Sequence, residues 1–186
     1  MFSSDLEAKT ETPARVVALI GPSACGKDTM LRTILKQYPD MFYSIEKYTT
    51  RPKRTGEVDC VDYHFVSEKE FDKIDFCIME QFREWYYGYK MPTETDRPYI
   101  GVFTPEAVKK LQEQGLLQTC YYIIVPSEER LLRSLQRETK PDIDEILRRY
   151  YADKKDYSIH RMMDILGDIN FTMLPNGTAK DLEESI

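Results

Sequence analysis

The sequence predicts an α/β fold in which a parallel β-sheet is covered by helices on both faces. Two observations lead to this fold class. Short apolar runs alternate along the chain with amphipathic helical segments, an order typical of right-handed strand–helix–strand crossovers. The first apolar run also ends in a glycine-rich loop that leads into a helix, and ligands of parallel sheets bind at this carboxyl edge of the strands.

The first strand, loop and helix lie between residues 14 and 39. Residues 14–21, ARVVALIG, are an apolar run that ends in glycine, and residues 27–39, KDTMLRTILKQYP, carry apolar side chains at helical spacing until Pro39 ends the helix. From about residue 43 to residue 98 the pattern changes to short, alternating aromatic pieces between polar turns. This change predicts a small mixed β lobe inserted into the core.

Strands and helices alternate again after this lobe. Pro105 opens one predicted helix and Gly115 ends it, as is common at helix termini. Ser127 is the predicted N-cap of the next helix. The predicted strands are 98–103, 116–126 and 169–174, and the predicted helices are 105–115, 127–138, 142–157 and 178–186.

The composition indicates one compact domain. With 186 residues, of which 41% are hydrophobic and 31% charged, the chain is long enough to bury one core. We expect residues 1–13, which are polar, to form a flexible tail ahead of a single domain at 14–186. The longest apolar runs hold about five residues, far fewer than the roughly 20 that span a bilayer, and the N-terminus lacks the pattern of a signal peptide.

Charge and cysteine content narrow the function classes. The net charge of -6 argues against a broad nucleic-acid-binding surface and is compatible with a small anionic substrate held by a few local arginines. The four cysteines have neither C-x-x-C spacing nor the density of a disulfide scaffold, so reduced thiols in the cytoplasm are the simplest interpretation. We expect small-molecule substrates, with neither nucleic acid nor membrane as a partner.

Residues 21–27 have the G-x-x-x-x-G-K spacing of a phosphate-binding loop. Gly21 and Gly26 allow the tight turn that directs successive backbone N–H groups at phosphate oxygens, the following helix adds its positive end, and Lys27 adds a formal charge. The predicted phosphate-binding residues are Gly21, Pro22, Ser23, Ala24, Cys25, Gly26, Lys27, Asp28 and Thr29.

A second cluster of anion-binding side chains lies between residues 48 and 71. Arg51 and Arg54 flank Pro52 and offer two guanidinium groups suited to a doubly charged phosphate monoester. Tyr63 can donate its hydroxyl to the same anion. Two phosphate-binding clusters in one small domain predict two phosphorylated substrates and phosphoryl transfer between them.

Three stretches resemble the guanylate kinase family: GPSACGKDT (21–29), TTRPKRTGEVDCVDYHFVSEKEF (49–71) and WYYG (85–88). The resemblance runs from about residue 15 to the end of the chain. It implies transfer of the γ-phosphoryl group of ATP to GMP or dGMP with Mg²⁺, on a three-layer P-loop NTPase fold. The implied parts are a core at 14–42 and 99–186, a nucleoside-monophosphate-binding lobe at about 43–98 and a short helical lid at about 137–150.

The same resemblance assigns roles to residues of the lobe. The positions that hold the GMP phosphate are matched by Arg51, Arg54, Tyr63 and Tyr87. Glu80 is the candidate to accept hydrogen bonds from N1–H and the 2-amino group of guanine, with Glu84 as the alternative. A carboxylate in this place disfavours adenine, whose matching edge leaves the acceptor unpaired.

The second half of the chain contains arginines that resemble those of the family's lid. The two stretches are LQRE (135–138) and DEILRRYY (144–151). The candidates to neutralise charge on the transferring phosphoryl group are Arg137 and Arg149, with Arg148 as a neighbour. MLPNG (173–177) resembles the segment that contacts the adenine of ATP and nominates Asn176. The predicted catalytic residues are thus Lys27, Arg51, Arg137 and Arg149.

Several positions depart from the family pattern. Gly101 and Phe103 stand where acids are expected near Mg²⁺ and guanine, and Tyr89 stands in place of a small hydroxyl residue. Lys47 replaces a serine that contacts the base, and we count it among the predicted GMP contacts. These departures bear on guanine specificity rather than on phosphoryl transfer.

Asp28 stands where a serine or threonine hydroxyl normally coordinates magnesium. A carboxylate about 6 Å from a phosphate charge costs roughly 3 kcal/mol at an effective dielectric near 20 unless a cation lies between them. Because the expected acids at 101 and 103 are missing, we predict that Asp28 helps to hold Mg²⁺, with the hydroxyl of Thr29 nearby.

Two other functions stay open on the sequence alone. The kinase of ribose 1,5-bisphosphate is similar in carrying GKD in its loop, whereas the GEVDCVDYHF stretch (56–65) favours a nucleoside monophosphate. A catalytically silent guanylate-kinase-like binding module typically lacks the loop lysine and glycines, which this chain retains.

Overall fold

The computed structural model describes residues 15–53, 56–82, 84–91, 96–137, 140–175, 180 and 182. In chain order the elements are β1 (Val16–Ile20), α1 (Lys27–Gln37), β2 (Tyr43–Ser44), β3 (Glu46–Thr49), β4 (His64–Phe65), α2 (Glu68–Phe71), β5 (Ile78–Phe82), β6 (Trp85–Lys90), β7 (Tyr99–Val102), α3 (Pro105–Glu113), β8 (Leu117–Ile124), α4 (Ser127–Gln136), α5 (Ile143–Asp156), α6 (Ile159–Leu166) and β9 (Phe171–Pro175).

The core is a five-stranded sheet in the order β2, β7, β1, β8, β9, and every neighbouring pair is parallel. All five residues of β1 are buried, as expected for a central strand covered on both faces. Val16, Ala18 and Ile20 pack in the cluster formed with α3 and α6, whereas Val17 and Leu19 pack in the cluster formed with α1. The predicted α/β fold with a parallel core sheet is confirmed.

The lobe is a four-stranded mixed sheet in the order β4, β3, β6, β5. Strands β3 and β4 are parallel, and the other two neighbouring pairs are antiparallel. Tyr43 and Ser44 pair with β7 of the core sheet, so the sheet of the lobe itself begins at Glu46. Ile78 and Tyr89 of the lobe pack in the same cluster as Phe103 of the core, which joins the two parts.

The helices differ from the prediction in one N-cap and in one helix that was not predicted. The predicted N-cap Ser127 is wrong: Pro126 is the N-cap of α4, and Ser127 is the first helical residue, with its hydroxyl 3.0 Å from Glu128 Oε1. The prediction also omitted α6, which Ser158 caps through the amide of Arg161. Of the predicted C-terminal helix only residues 180 and 182 are described; both are helical, and Leu182 is fully buried.

Within the described residues, we find no helix that has both the length and the apolar character needed to cross a membrane.

Candidate active site

The phosphate loop connects β1 to α1 and has a backbone path that requires glycine. Gly21 and Gly26 have φ angles of 148° and 100°, and Gly26 is the N-cap of α1 in the left-handed region. A Cβ atom on Gly21 would lie 2.8 Å from the carbonyl oxygen of Ile123 and 2.9 Å from Cys25 Sγ. Ala24 also has a positive φ, of 59°.

Lys27 lies across this loop. Its Nζ donates to the carbonyl oxygens of Gly21 and Pro22, both at 2.7 Å. Among the backbone–backbone hydrogen bonds of the described residues, none has the N–H group of Gly26 or Lys27 as its donor. Backbone N–H groups at a helix N-terminus beside a lysine are suited to bind an anion, which is the role that the loop motif predicts.

Asp28 projects from the first turn of α1 and meets a cation from the lobe. Its Oδ1 lies 3.4 Å from Lys47 Nζ, although the Asp28 side chain is 57% exposed and that of Lys47 only 10%. Partial desolvation tends to raise the pKa of Asp28, but Lys47, Lys27 and Arg32 outweigh it, so the pKa is lowered. Thr29, beside it, is exposed.

The donor set around the loop fits a magnesium ion that is held mainly by substrate. The described residues contain no group of three or more His, Cys, Asp or Glu side chains that could enclose a metal ion. Mg²⁺ in phosphoryl-transfer sites is held by one or two carboxylates together with phosphates and water. One ionised carboxylate at Asp28 meets that need.

The strands of the lobe align the predicted acceptor residues on one face. Lys47 pairs with Tyr89, and Thr49 pairs with Tyr87, which in turn pairs with Glu80. Side chains directly opposite one another on neighbouring strands lie on the same face of a sheet. Because Lys47 reaches Asp28, this face is directed at the phosphate loop.

The predicted phosphate-binding side chains of the lobe lie close together. Arg51 Cζ is 5.6 Å from the centre of the Tyr63 ring, and the Tyr63 and Tyr87 rings are 6.1 Å apart. Arg51 is only 4% exposed, and its guanidinium binds Glu57 through Nη1 at 3.0 Å and Nη2 at 2.9 Å. Sequence reasoning missed Glu57, since six residues separate it from Arg51 with no helical or strand periodicity to link them.

Glu80 lies between the lobe and the core. The hydroxyl of Thr104, the N-cap of α3, is 2.8 Å and 2.9 Å from its two carboxylate oxygens. Burial raises the pKa of Glu80 in spite of Thr104 and Lys110, which act to lower it. The alternative, Glu84, is exposed in the turn between β5 and β6 and does not share this position.

Three of the positions that depart from the family pattern, 89, 101 and 103, lie in hydrophobic packing. Tyr89 and Phe103 are 5% and 2% exposed, and their rings lie 4.8 Å apart. A Cβ atom on Gly101 would lie 3.0 Å from the Phe103 ring and 3.3 Å from Ile45 Cβ. An acidic side chain at position 101 would therefore require its neighbours to shift.

Of the predicted lid arginines, Arg137 is the C-cap residue of α4, and Arg148 and Arg149 lie on α5. Arg137 and Arg149 line one cavity together with Ser23 and Ala24 of the loop. Arg148 and Arg149 both bind the carboxylate of Glu145 and, with the Arg148 hydrogen bond as the larger effect, hold the pKa of Glu145 down at about 2. Arg54, Asn176 and residues 1–13 lie outside the described residues.

Two charged residues behind the loop were not predicted. Arg130 of α4 and Asp153 of α5 form a buried ion pair, and Asp153 also binds Ser23. Because Ser23 and Asp153 are 130 positions apart in the chain, no spacing pattern in the sequence indicates this contact.

Comparisons with known proteins agree with this geometry. The family model for guanylate kinase matches residues 13–168. The guanylate kinase of Gloeobacter violaceus is 36% identical over 111 residues, which are 56% of this chain and 51% of the relative. The chain thus spans about half the length of that relative. The guanylate kinase of Synechococcus elongatus is 35% identical over 147 residues, 73% of this chain and 78% of the relative.

A solved structure agrees in fold. The crystal structure of guanylate kinase from Anaplasma phagocytophilum has a TM-score of 0.58 and 16% identity, and the match covers 94% of this chain and 83% of that one. The curated relatives support an enzyme of the guanylate kinase type. By its family match and these relatives, the chain belongs to the guanylate kinase family.

Proposed function

We propose that the chain is an ATP-dependent nucleoside monophosphate kinase that transfers the γ-phosphoryl group of ATP to GMP or dGMP, giving ADP and GDP or dGDP. The observation that carries the proposal is the contact between Asp28 and Lys47. It brings the helix after the phosphate loop against the lobe face that holds Tyr87 and Glu80. Two phosphorylated substrates bound on the two sides of this contact would meet end to end.

ATP would bind by its phosphates at the loop. The backbone N–H groups of Gly26 and Lys27 and the Lys27 ammonium would offer donors and positive charge to the phosphate oxygens. Lys27 would exchange its bonds with the Gly21 and Pro22 carbonyls for bonds to phosphate. When bound, Mg²⁺ held by Asp28, with Thr29 nearby, would neutralise phosphate charge. Asn176 is the proposed contact for the adenine.

The acceptor would bind across the lobe face. Arg51, Arg54, Tyr63 and Tyr87 are the proposed ligands of its phosphate, and Lys47 is a further cation at the same edge. Glu80, partly buried and oriented by Thr104, is the proposed acceptor for the two donors of guanine. Because a lone carboxylate accepts two parallel hydrogen bonds well, this arrangement favours guanine over adenine.

Transfer would proceed in line, without a covalent enzyme intermediate. The acceptor is already an anionic phosphate, so no strong general base is needed and positioning supplies most of the rate. Arg137 and Arg149, which line a cavity with loop residues Ser23 and Ala24, would neutralise charge on the transferring group. Closure of the lid would exclude water and limit hydrolysis of ATP.

One observation favours a second candidate, in which the acceptor carries a different base or none. Tyr89 and Phe103 pack against each other where the family pattern has polar side chains, and the Thr104 hydroxyl is shared between both oxygens of the Glu80 carboxylate. A kinase of ribose 1,5-bisphosphate or of another nucleoside monophosphate would keep the same phosphate sites. It would not need the guanine-binding edge.

A panel of acceptors tests the proposal. ADP formation from ATP is measured with GMP, dGMP, AMP, dTMP and ribose 1,5-bisphosphate under identical conditions. We expect GMP and dGMP to give the highest kcat/KM. A higher kcat/KM for ribose 1,5-bisphosphate or another nucleotide would show that this compound, and not GMP, is the acceptor. A folded protein inactive with all of them would point to a silent binding module.

As part of the proposal we place the enzyme in the cytoplasm, where its four unpaired cysteines would stay reduced.

A further inference from the structure

A buried ion pair between α4 and α5 contacts the phosphate loop at Ser23. Arg130 Nη1 of α4 lies 3.3 Å from Asp153 Oδ2 of α5, and the two side chains are only 8% and 13% exposed. Arg130 Nε also donates to the carbonyl oxygen of Val125, at 3.2 Å. Buried charges of this kind are expensive to desolvate and contribute little net stability, so a buried pair next to a binding loop calls for a functional explanation.

The pair binds both backbone polar groups of Ser23. The Ser23 N–H donates to Asp153 Oδ2 at 2.8 Å, and the Ser23 hydroxyl is 3.3 Å from Asp153 Oδ1. Arg130 Nη1 lies 3.4 Å from the carbonyl oxygen of Ser23. Ser23 immediately precedes Ala24, whose left-handed backbone conformation is unfavourable for a residue with a side chain. The contacts to Ser23 therefore fix the loop next to this residue.

Asp153 also links the loop to a predicted lid arginine. Arg149 and Asp153 are four residues apart on α5, so they lie on the same side of the helix. Both line the cavity that Ser23 and Ala24 border. A bond between Ser23 and Asp153 thus limits how far the helix that carries Arg149 can move from the loop.

The charge balance of the pair suits a site for anions. A lone carboxylate behind the loop would repel phosphate, but Arg130 neutralises Asp153 at close range. The carboxylate can therefore accept the Ser23 amide without a large electrostatic penalty for ATP.

We propose that Asp153 is a positioning residue for phosphoryl transfer: it fixes the phosphate loop at Ser23 and holds the helix that carries Arg149 against it. The inference rests on the proposed function, because it takes ATP to be the ligand of the loop. It adds to that function a residue that acts through the loop and does not touch the substrate.

The test uses one double variant, one single variant and a matched control. Asp153→Ala alone leaves Arg130 buried without its partner and risks misfolding, so Arg130→Met/Asp153→Leu replaces both charges with apolar side chains of similar size. Asp153→Asn keeps one oxygen that can accept the Ser23 amide. Asp164→Asn, on the exposed side of α6, removes a carboxylate far from the loop.

Three quantities are measured: hydrogen exchange of the Ser23 amide in the ligand-free protein, the Kd of ATP, and kcat with the KM of each substrate. In the double variant we expect at least tenfold faster exchange at Ser23, at least tenfold weaker ATP binding, a lower kcat and an unchanged acceptor KM. Asp153→Asn should lie between it and the wild type, and Asp164→Asn should equal the wild type.

Failure of the inference and failure of the proposed function are distinguishable. A folded double variant with wild-type Ser23 exchange and wild-type ATP affinity would overturn the role of Asp153 while turnover by the wild type still supported the kinase. A wild type without turnover on any acceptor would overturn the kinase. The exchange and ATP-binding data would then still decide whether Asp153 positions the loop.

Discussion

Asp28 Oδ1 and Lys47 Nζ lie 3.4 Å apart, and this ion pair joins the first turn of α1 to the first strand of the lobe sheet. Lys47 Nζ also lies 4.7 Å from the centre of the Tyr63 ring, on the proposed acceptor side. The carboxylate that follows the loop lysine is thus balanced by a cation from the opposite side of the cleft. Five predictions concern residues on the two sides of this contact.

The first concerns metal dependence. If Asp28 helps to hold Mg²⁺, Asp28→Ala, which leaves no side-chain oxygen at this position, should raise the Mg²⁺ concentration needed for half-maximal activity by about tenfold, the equivalent of roughly 1.4 kcal/mol. Lys47→Met should shift that concentration in the opposite direction, since it removes the cation that competes for the carboxylate. Titration of activity with Mg²⁺ at saturating substrates measures both. An unchanged Mg²⁺ dependence in Asp28→Ala would refute the metal role.

The second concerns the loop lysine. Lys27→Ala removes the ammonium that the loop carbonyls orient, and a lost charge-stabilising donor in a transfer site typically costs about 10²–10³ in rate. We expect kcat to fall by that order while the circular dichroism spectrum and melting temperature stay close to the wild type. Lys36→Ala, at the far end of the same helix, is the control. Near-normal turnover in Lys27→Ala would contradict the assignment.

The third separates the two roles of Arg51. Arg51→Ala removes a buried guanidinium that is paired with Glu57, and breaking a buried pair in this way costs about 3–5 kcal/mol, so loss of activity would be ambiguous. Arg51→Lys keeps the charge but loses the planar fork. We expect it to raise the acceptor KM by at least tenfold and to leave the ATP KM unchanged. An equal increase in the KM of ATP and in the KM of the acceptor would argue against Arg51 as a ligand of the acceptor phosphate.

The fourth uses the carboxylate of Glu80. Glu80→Gln retains an oxygen for the Thr104 hydroxyl but accepts only one of the two guanine donors, so kcat/KM for GMP should fall by about 10- to 100-fold, the value of a hydrogen bond to a charged group. Activity with AMP should not fall in parallel. Glu84→Gln, exposed in the same hairpin, is the control, and a fall with Glu84→Gln alone would transfer the role to that residue.

Because the pKa of Glu80 is raised, the difference in stability between the wild type and Glu80→Gln should depend on pH. Burial raises this pKa above that of the unfolded chain, so the folded state retains the proton to higher pH. The stabilising contribution is complete below the unfolded value of about 4.3 and is lost as pH rises through the folded value. The free energy of unfolding of the wild type, relative to Glu80→Gln, should therefore decrease from about pH 4 upward in urea titrations. If the difference in free energy of unfolding between the two proteins did not change with pH, the raised pKa of Glu80 would be contradicted.

The fold was largely predictable because its signals are local. Apolar runs, the glycine loop and helix-end residues indicated most strands and helices in the right order. Residues 159–166 were missed although Ser158, apolar residues at helical spacing and Gly167 mark that helix. The pairing of Tyr43–Ser44 with the core sheet was not predictable, since it depends on the long return of the chain from the lobe.

In the candidate site, too, features set by neighbouring residues were predictable and contacts between distant residues were not. The position of the loop between β1 and α1 was predictable, since its motif consists of residues close together in the sequence. The partners that orient its side chains come from distant positions: Thr104 reaches Glu80 across 24 positions, and Asp153 reaches Ser23 across 130. Such contacts are set by how helices pack on the sheet, and a single sequence carries no record of that packing.

Phosphoryl transfer itself is tested most directly with ATP labelled with ³²P in the γ position. The protein is incubated with the labelled ATP, Mg²⁺ and GMP, and the products are separated by chromatography, with Lys27→Ala as the inactive control. The proposed function predicts that the label appears in GDP at the same rate as ADP forms. Label found only in inorganic phosphate, or retained in ATP, would contradict it.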